Sequence, residues 1–262
     1  MLLDFSSPNI QYFEMSRNLD DYVQSYKNLG FESIQEQYRF RRVSDVLNKL
    51  QSSQHFLNIL EIGPGNNSVY RNFTEFENYL ILEPISYFLE SNTIDNSKVI
   101  VKNISVEEFL KSNSKLMFDL VILSSVLHEI ENPKSFLVNL TKLISSNSKI
   151  IVVVPNNTSL HRLIGDFEGF EKAGPFLTET ERRMQQGVSF SVESLSEFVI
   201  TAGLRVVEVF TSFIKPFPHF KMHDLRQSGV LSDSDLDSLY SLSEILQPYG
   251  SEIFAILEQN HD

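Results

Sequence analysis

Residues 57–68 read LNILEIGPGNNS, and they are the strongest indication of the fold in this sequence. An apolar run ends at Glu61, and a turn that contains Gly63 and Gly65 follows it. A second apolar run, YLILE, ends in Glu83 about 20 residues later, the spacing at which an acidic residue meets a ribose. Glycines let the backbone approach a ligand closely, and a carboxylate can accept hydrogen bonds from two ribose hydroxyls. The pattern predicts a nucleoside site at the carboxyl edge of a parallel sheet.

The same residues indicate which nucleoside is bound. A dinucleotide fingerprint would require a third glycine at position 68, where Ser68 stands. Glu61 would repel a pyrophosphate, because like charges would face each other. S-adenosylmethionine carries an ammonium and a sulfonium and no phosphate. The pattern therefore favours S-adenosylmethionine over NAD(P).

Four stretches in order resemble the motifs of class I S-adenosylmethionine-dependent methyltransferases. They are residues 61–65 (EIGPG), 82–84 (LEP), 118–130 (FDLVILSSVLHEI) and 149–156 (KIIVVVPN). Asn67 stands where the family often has a third glycine, and asparagine tolerates the left-handed conformation better than most residues. Residues 154–162 and 202–207 are similar to bacterial small-molecule methyltransferases of the ubiquinone/menaquinone-biosynthesis type and their secondary-metabolite relatives.

The resemblance implies a set of cofactor-binding residues. Glu61 is expected under the ammonium group and Glu83 at the ribose diol, while Asn103 would accept a hydrogen bond from the adenine amino group. Asn103 could instead cap the helix that follows it. The full expected set is Glu61, Gly63, Pro64, Gly65, Glu83, Pro84, Asn103, Ile104, Ser124 and Ser125.

Two histidines are candidates for catalysis. His128 follows the fourth predicted strand and His161 follows the fifth, and a neutral imidazole can take a proton near physiological pH. The alternative for each is a structural or surface role. His219 and His223 share the i, i+4 spacing of a helical metal site, but no third ligand is evident, so we expect no metal and a solvated helix face.

Composition narrows the class of partner. The net charge of −12 argues against a nucleic-acid substrate. No apolar run approaches the roughly 20 residues that span a bilayer, and the first residues do not read as a signal peptide. We therefore expect a cytoplasmic protein that acts on a small-molecule acceptor, and the sequence is compatible with a homodimer. There are no cysteines, which excludes disulfides and thiolate metal sites.

The order of elements predicts an α/β fold, a Rossmann-like doubly wound sheet of seven strands. The resemblance implies that the last strand lies antiparallel beside the fifth. We expect a helical N-terminal cap or lid at residues 1–52 and a methyltransferase domain at 53–262, with a lid insertion at about 156–190. Strands are expected near 57–62, 79–83, 98–101, 118–123, 148–154, 205–211 and 252–257. Helices are expected near 105–112, 133–145, 191–202 and 234–247.

The function predicted from these features is transfer of a methyl group from S-adenosylmethionine to an oxygen, or as second choice a nitrogen, of a small molecule. S-adenosylhomocysteine would be the product. One alternative is an NAD(P)-dependent oxidoreductase, which would bind NADH and not S-adenosylhomocysteine. The other is a non-catalytic module that binds S-adenosylmethionine and stays inert towards every acceptor.

Overall fold

The computed structural model describes residues 10–13, 18–28, 30–91, 94–111, 116–170 and 172–260. Parts of the predicted cap, at residues 1–9, 14–17 and 29, lie outside the described residues, as does residue 112 of the predicted helix 105–112.

A single seven-stranded sheet forms the centre of the described chain. Its strands are β1 (Asn58–Ile62), β2 (Asn78–Leu82), β3 (Val99–Lys102), β4 (Phe118–Ser124), β5 (Ile144–Pro155), β6 (Leu204–Ser212) and β7 (Glu252–Gln259). The order across the sheet is β3-β2-β1-β4-β5-β7-β6. Strands β1 to β5 are parallel, and β7 lies antiparallel between β5 and β6. The predicted Rossmann-like sheet is confirmed, with β7 antiparallel beside β5.

Helices cover both faces of this sheet. They are α1 (Leu19–Lys27), α2 (Glu32–Gln51), α3 (Ser86–Ser91), α4 (Val106–Lys111), α5 (Pro133–Leu140), α6 (Leu160–Phe167), α7 (Glu179–Arg183), α8 (Val192–Ile200), α9 (His219–Gln227) and α10 (Asp233–Leu242). None of the helices in the described ranges is long and apolar enough to cross a membrane.

Alternation along the strands divides the core between the two faces. In β1, Leu60 belongs to the apolar cluster that includes Leu137 of α5 and Phe198 of α8. Ile59 points to the opposite face, where Leu47 of α2 packs. These side chains are almost fully buried. Helix α2 therefore supplies one wall of the main core as well as a cover for the sheet edge.

The connection between β1 and β2 differs from an ordinary doubly wound crossover. The described residues between these strands form a 3-10 turn, Tyr70–Asn72, and no α-helix. The rings of Tyr70, Phe73 and Phe76 instead contact Tyr79 edge-on, with centroid distances of 6.3, 5.7 and 5.5 Å. Asparagine and serine after the glycines favour turns over helix. Helix α2 covers the face of the sheet on which a crossover helix would otherwise pack.

We predict that Leu120→Ala destabilises the protein by about 2–5 kcal/mol, because Leu120 is fully buried in the central strand β4 and the truncation leaves a cavity. Leu57→Ala is the control, since Leu57 is 42% exposed and surface truncations typically cost about 0.5 kcal/mol or less. Denaturant unfolding of both variants measures the difference. Equal losses would show that the core does not lie where the sheet places it.

Candidate functional site

A large cavity opens along the carboxyl edge of the parallel strands. It is lined by the ends of β1, β2 and β4, by α1 and α2, by residues at the start of α6, and by Lys215 after β6 and Ser251 before β7. Its volume of about 230 Å³ is many times the roughly 10–15 Å³ that one water needs. The cavity therefore has room for a ligand at the edge where α/β sheets bind nucleotides.

The glycine turn forms one wall of this cavity. Gly63 and Gly65 have φ of 61° and 62°, in the left-handed region. The Gly63 N–H donates to the Leu82 carbonyl of β2 at 2.8 Å. A Cβ built on Gly63 would lie 2.3 Å from Cγ2 of Val126, so position 63 accepts no side chain without movement of its neighbours. Pro64 also lines the cavity.

Glu83 follows β2 and lies directly against the glycine turn. Its carboxylate accepts hydrogen bonds from the N–H groups of Gly65, at 3.2 Å, and Ile85, at 2.9 Å. The residue is buried, and it lines the cavity together with Pro84. The structure thus brings together the second acid and the glycines that the sequence analysis paired.

Glu61 also lines the cavity, but protein donors surround its carboxylate. It accepts hydrogen bonds from the Val69 N–H at 3.0 Å, from the Tyr79 hydroxyl at 2.8 Å, and from the Ser68 hydroxyl. Burial raises the pKa of Glu61, and these hydrogen bonds oppose the rise. These hydrogen bonds connect the residues that follow the turn, and Tyr79 of β2, to β1.

The third strand places its polar residues differently from the sequence expectation. Asn103 is exposed, donates to the Glu83 carbonyl at 2.8 Å and accepts from the Ser86 hydroxyl at 3.0 Å. Neither Asn103 nor Ile104 belongs to the cavity lining; Ile104 packs against the core. The residues that line the cavity here are Ser105, Val106 and Glu107. The helix cap is Ser105, which accepts from the Glu108 N–H at 3.1 Å.

The end of β4 contributes Ser124, Ser125 and His128 to the lining. Ser125 has φ of 64°, an uncommon value for a residue other than glycine, and strained residues cluster at functional sites. His128 is buried, with Nε2 3.8 Å from a Glu129 carboxylate oxygen that also accepts from the Tyr22 hydroxyl at 3.0 Å. A helix of the predicted cap thereby reaches the centre of the site.

Helices α1 and α2, from the segment predicted as a cap, also contact the residues of the glycine turn. Glu36 of α2 accepts hydrogen bonds from the Tyr26 hydroxyl at 2.8 Å and from the Asn67 amide at 3.2 Å. The Asn66 amide donates to the Tyr26 hydroxyl at 3.1 Å. The two asparagines after the glycines therefore link the turn to α1 and α2.

His161 lies in α6 and reaches the other half of the cavity. Its Nδ1 is 2.9 Å from the Ser159 hydroxyl. Burial and the nearby charge of Lys215 hold the pKa of His161 well below its usual range. The imidazole is therefore neutral at physiological pH and a weak base.

A buried polar cluster, which the sequence analysis missed, surrounds His161. It contains Glu32, Gln35 and Arg39 of α2, Lys215 after β6, His219 of α9, and Glu252 of β7. His219 was expected on a solvated helix face; instead it lines the cavity, and its side chain is 22% exposed. The other member of the predicted pair, His223, packs close to Gly30. No sequence motif links these positions, since the fold alone brings them together.

The charge of the lining is mainly negative. Among the described residues, seven glutamates and three basic side chains line the cavity, apart from three histidines. Arg39 and Arg162 already bind carboxylates, Arg39 at Glu32 and Glu252 and Arg162 at Glu181. The cavity therefore favours a cationic ligand. Within the described ranges, no group of three His, Cys, Asp or Glu residues is arranged to hold a metal ion.

Comparison with known proteins places this site in a family context. Residues 35–209 match the model of a family described as a methyltransferase domain. No curated protein matches the chain.

Several solved structures share the fold. A plantazolicin methyltransferase, BpumL, in complex with S-adenosylhomocysteine, is 17% identical, with a TM-score of 0.54 over 93% of this chain and 95% of that chain. A Burkholderia thailandensis 1,6-didemethyltoxoflavin N1-methyltransferase, with 1,6-didemethyltoxoflavin and S-adenosylhomocysteine bound, is 13% identical, with a TM-score of 0.56 over 97% and 95%. A methyltransferase from Archaeoglobus fulgidus described as S-adenosylmethionine-dependent is 17% identical, with a TM-score of 0.53 over 88% and 99%.

At these identities the solved structures are evidence for the fold alone, whereas the family match covers more than half of the sequence. The chain belongs to the methyltransferase domain family, and the resemblance to class I S-adenosylmethionine-dependent methyltransferases is confirmed.

Proposed function

We propose that this protein transfers a methyl group from S-adenosylmethionine to an oxygen, or as second choice a nitrogen, of a small-molecule acceptor. The observation that carries the proposal is the contact between the Glu83 carboxylate and the Gly65 N–H in the wall of the cavity. It joins a ribose-type acid to the glycine turn, in a chain that belongs to a methyltransferase family.

The charge of the cavity lining and the glycines of its wall support binding of this cofactor. Its excess of carboxylates suits a ligand with an ammonium and a sulfonium. The glycine at position 63 lets the turn pack against Val126, and at Gly65 the missing side chain leaves open space beside the backbone, where the nearest atom to a built Cβ is Glu36 Oε1 at 3.8 Å. When bound, S-adenosylmethionine supplies an electrophilic methyl group, so the protein has no need to create an electrophile.

We assign the cofactor contacts by their place along the sheet edge. Glu83 would bind the ribose hydroxyls, and Gly63, Pro64 and Gly65 would lie beside the methionine portion. Pro84 and the run 105–107 would surround the adenine, with Asn103 holding the Glu83 backbone in place and Ile104 packed beneath. Ser124 and Ser125 would lie near the sulfonium. Glu61 would act on the ammonium mainly through the turn that it holds.

The chain's own contribution is positioning and proton removal. Holding the acceptor in line with the reactive bond accounts for most of the rate gain. Helices α1 and α2 cover the site and exclude water through the contacts of Tyr26 and Glu36. His128 is proposed to contact the acceptor near the transferred group, and His161, being neutral, to donate or accept a hydrogen bond there.

Two observations support a small-molecule acceptor: the negative net charge of the chain and the kinds of methyltransferase that share its fold. The net charge of −12 opposes a nucleic-acid backbone. Two of the similar structures are a plantazolicin methyltransferase and a 1,6-didemethyltoxoflavin N1-methyltransferase. We also propose a cytoplasmic location, because S-adenosylmethionine is made inside cells. The oxidoreductase alternative is set aside, because the chain belongs to a methyltransferase family.

We predict that Glu83→Gln and Glu83→Ala weaken the binding of S-adenosylhomocysteine by about 1.5–3 kcal/mol, the range for a hydrogen bond to a charged group. Glutamine keeps one acceptor oxygen, enough for one of the N–H groups of Gly65 and Ile85, whereas alanine keeps none, so a larger loss with alanine measures the support that the turn receives. Isothermal calorimetry gives the affinities. Glu75→Ala, at an exposed glutamate, is the matched control. Unchanged affinity in both Glu83 variants would remove this residue from the site.

We predict that Gly63→Ala weakens S-adenosylhomocysteine binding at least about tenfold and destabilises the fold by more than the roughly 1–2 kcal/mol that a left-handed alanine costs, because the clash with Val126 adds to it. The new methyl group would meet Val126, which borders the cavity. Gly229→Ala is the matched control, since Gly229 has φ of 72° and open space around its Cα. It should lose only the roughly 1–2 kcal/mol of the left-handed conformation and keep full affinity. Loss of affinity in both variants would point to general unfolding.

The enzyme itself is tested by incubating the protein with S-adenosylmethionine and a panel of phenols, carboxylic acids, amines and nitrogen heterocycles. We expect formation of S-adenosylhomocysteine with at least one oxygen nucleophile, followed by mass spectrometry of the product. Tight binding of S-adenosylmethionine without turnover on any class would instead support the non-catalytic module. Turnover restricted to amines would move the choice from oxygen to nitrogen.

A further inference from the structure

The cavity continues along the sheet edge beyond the proposed cofactor residues. Those residues follow β1, β2 and β4, whereas the buried polar cluster lies at the ends of β5, β6 and β7. His161 follows β5, Lys215 follows β6, and Ser251 precedes β7. If the proposed function holds, this second half of the cavity receives the acceptor.

Lys215 differs from the other basic side chains of the cavity in its partner. Arg39 donates to the carboxylates of Glu252 at 2.5 Å and Glu32 at 3.0 Å. Lys215 Nζ donates to the neutral amide oxygen of Gln35 at 3.0 Å. Lys215 is 2% exposed, so its amine lacks the hydration that usually stabilises an ammonium.

Polar atoms around Lys215 remain available to a ligand. Within the described part of the chain, neither Nδ1 of His219 nor the Ser251 hydroxyl has a hydrogen-bond partner, although both atoms are buried. Both residues line the cavity. Buried polar atoms without a partner are costly, and a polar ligand would satisfy them.

We propose that Lys215 accepts the proton of an acidic hydroxyl group, phenolic or enolic, on the acceptor, with His161 and His219 as the polar groups beside it. The acceptor would thus belong to the class of molecules with a weakly acidic oxygen.

The environment of Lys215 supports this role. Burial lowers the pKa of Lys215 to about 8, so the amine is partly neutral near physiological pH and can take a proton. His161, whose pKa is held well below its usual range, is a weaker base. The charged and titratable groups that face Lys215 are Glu32 and Arg39 of α2, Glu181 of α7, Glu252 of β7, His161 of α6 and His219 of α9.

The step balances without a further reactant. The acceptor O–H bond breaks and its proton goes to Lys215 Nζ, which becomes an ammonium. The oxygen's electron pair forms the new bond to the methyl carbon, and the electron pair of the broken sulfur–carbon bond stays on sulfur. Release of the Lys215 proton to solvent returns the amine to its starting state.

The test uses 4-nitrophenol, whose phenolate absorbs visible light, with the whole 262-residue chain saturated with S-adenosylhomocysteine. Because Lys215 can take the proton, we expect the ratio of phenolate to phenol for the bound dye to be at least about tenfold higher than for free dye at the same pH. A tenfold change in this ratio means that binding lowers the pKa of the dye by about one. Lys215→Met and Lys215→Gln should abolish this difference between bound and free dye. Lys221→Met, at a lysine of α9 that pairs with Glu168 on the surface, should keep it.

Affinity for S-adenosylhomocysteine, measured for every variant, separates this inference from the proposed function. If the wild type fails to bind S-adenosylhomocysteine, the proposed function falls. If it binds but the dye does not bind, or stays a phenol, the role of Lys215 is refuted. An unaltered phenolate ratio in both Lys215 variants would refute it as well. With a phenolic substrate from the acceptor panel, Lys215→Gln should lower kcat/KM roughly 10²–10⁴-fold and remove its rise near pH 8.

Discussion

The site depends on two buried carboxylates that hold one backbone turn between them. Glu83 accepts the Gly65 N–H, and Glu61 accepts the Val69 N–H together with the Ser68 and Tyr79 hydroxyls. A buried carboxylate is costly unless donors surround it. The donors of the turn therefore stabilise the two buried carboxylates, and the carboxylates in return hold the turn in place. The sheet fixes both acids, so the turn has a defined shape against the cavity.

The cover of the site is built into the same framework. Helix α2 packs Val43 and Leu47 against the sheet and turns Glu36 and Arg39 towards the cavity. Arg39 then binds Glu252 at the start of β7. Helix α2, in the segment predicted as a cap, therefore has two roles: one of its faces packs in the core and another lines the cavity. Rigid attachment of this kind keeps polar groups in place over a ligand at little entropic cost.

The sequence predicted those features of the fold and the site that depend on local residue patterns. Apolar runs that end in Glu61 and Glu83 gave the strands, and glycine chemistry gave the turn. Asn103 illustrates one limit of prediction from local pattern. The position at which α4 begins determines whether residue 103 or residue 105 faces the cavity, and the sequence analysis did not fix that position. Lys215 illustrates the second. Its partner Gln35 is far away in sequence, and a buried lysine carries no periodic signal. The sequence analysis also did not predict that a turn replaces the crossover helix between β1 and β2. The helix that covers this face of the sheet, α2, lies elsewhere in the sequence, before β1.

The position of β7 has a consequence for how the protein is made. Among the described strands, β6 pairs with β7 alone, and β7 also covers the edge of β5. During synthesis, β6 leaves the ribosome some forty residues before its neighbour does. Until then β5 presents an open, apolar edge, the kind of edge that pairs with other chains. The nascent polypeptide therefore has to keep this half of the sheet apart from other chains until residues 252–259 arrive.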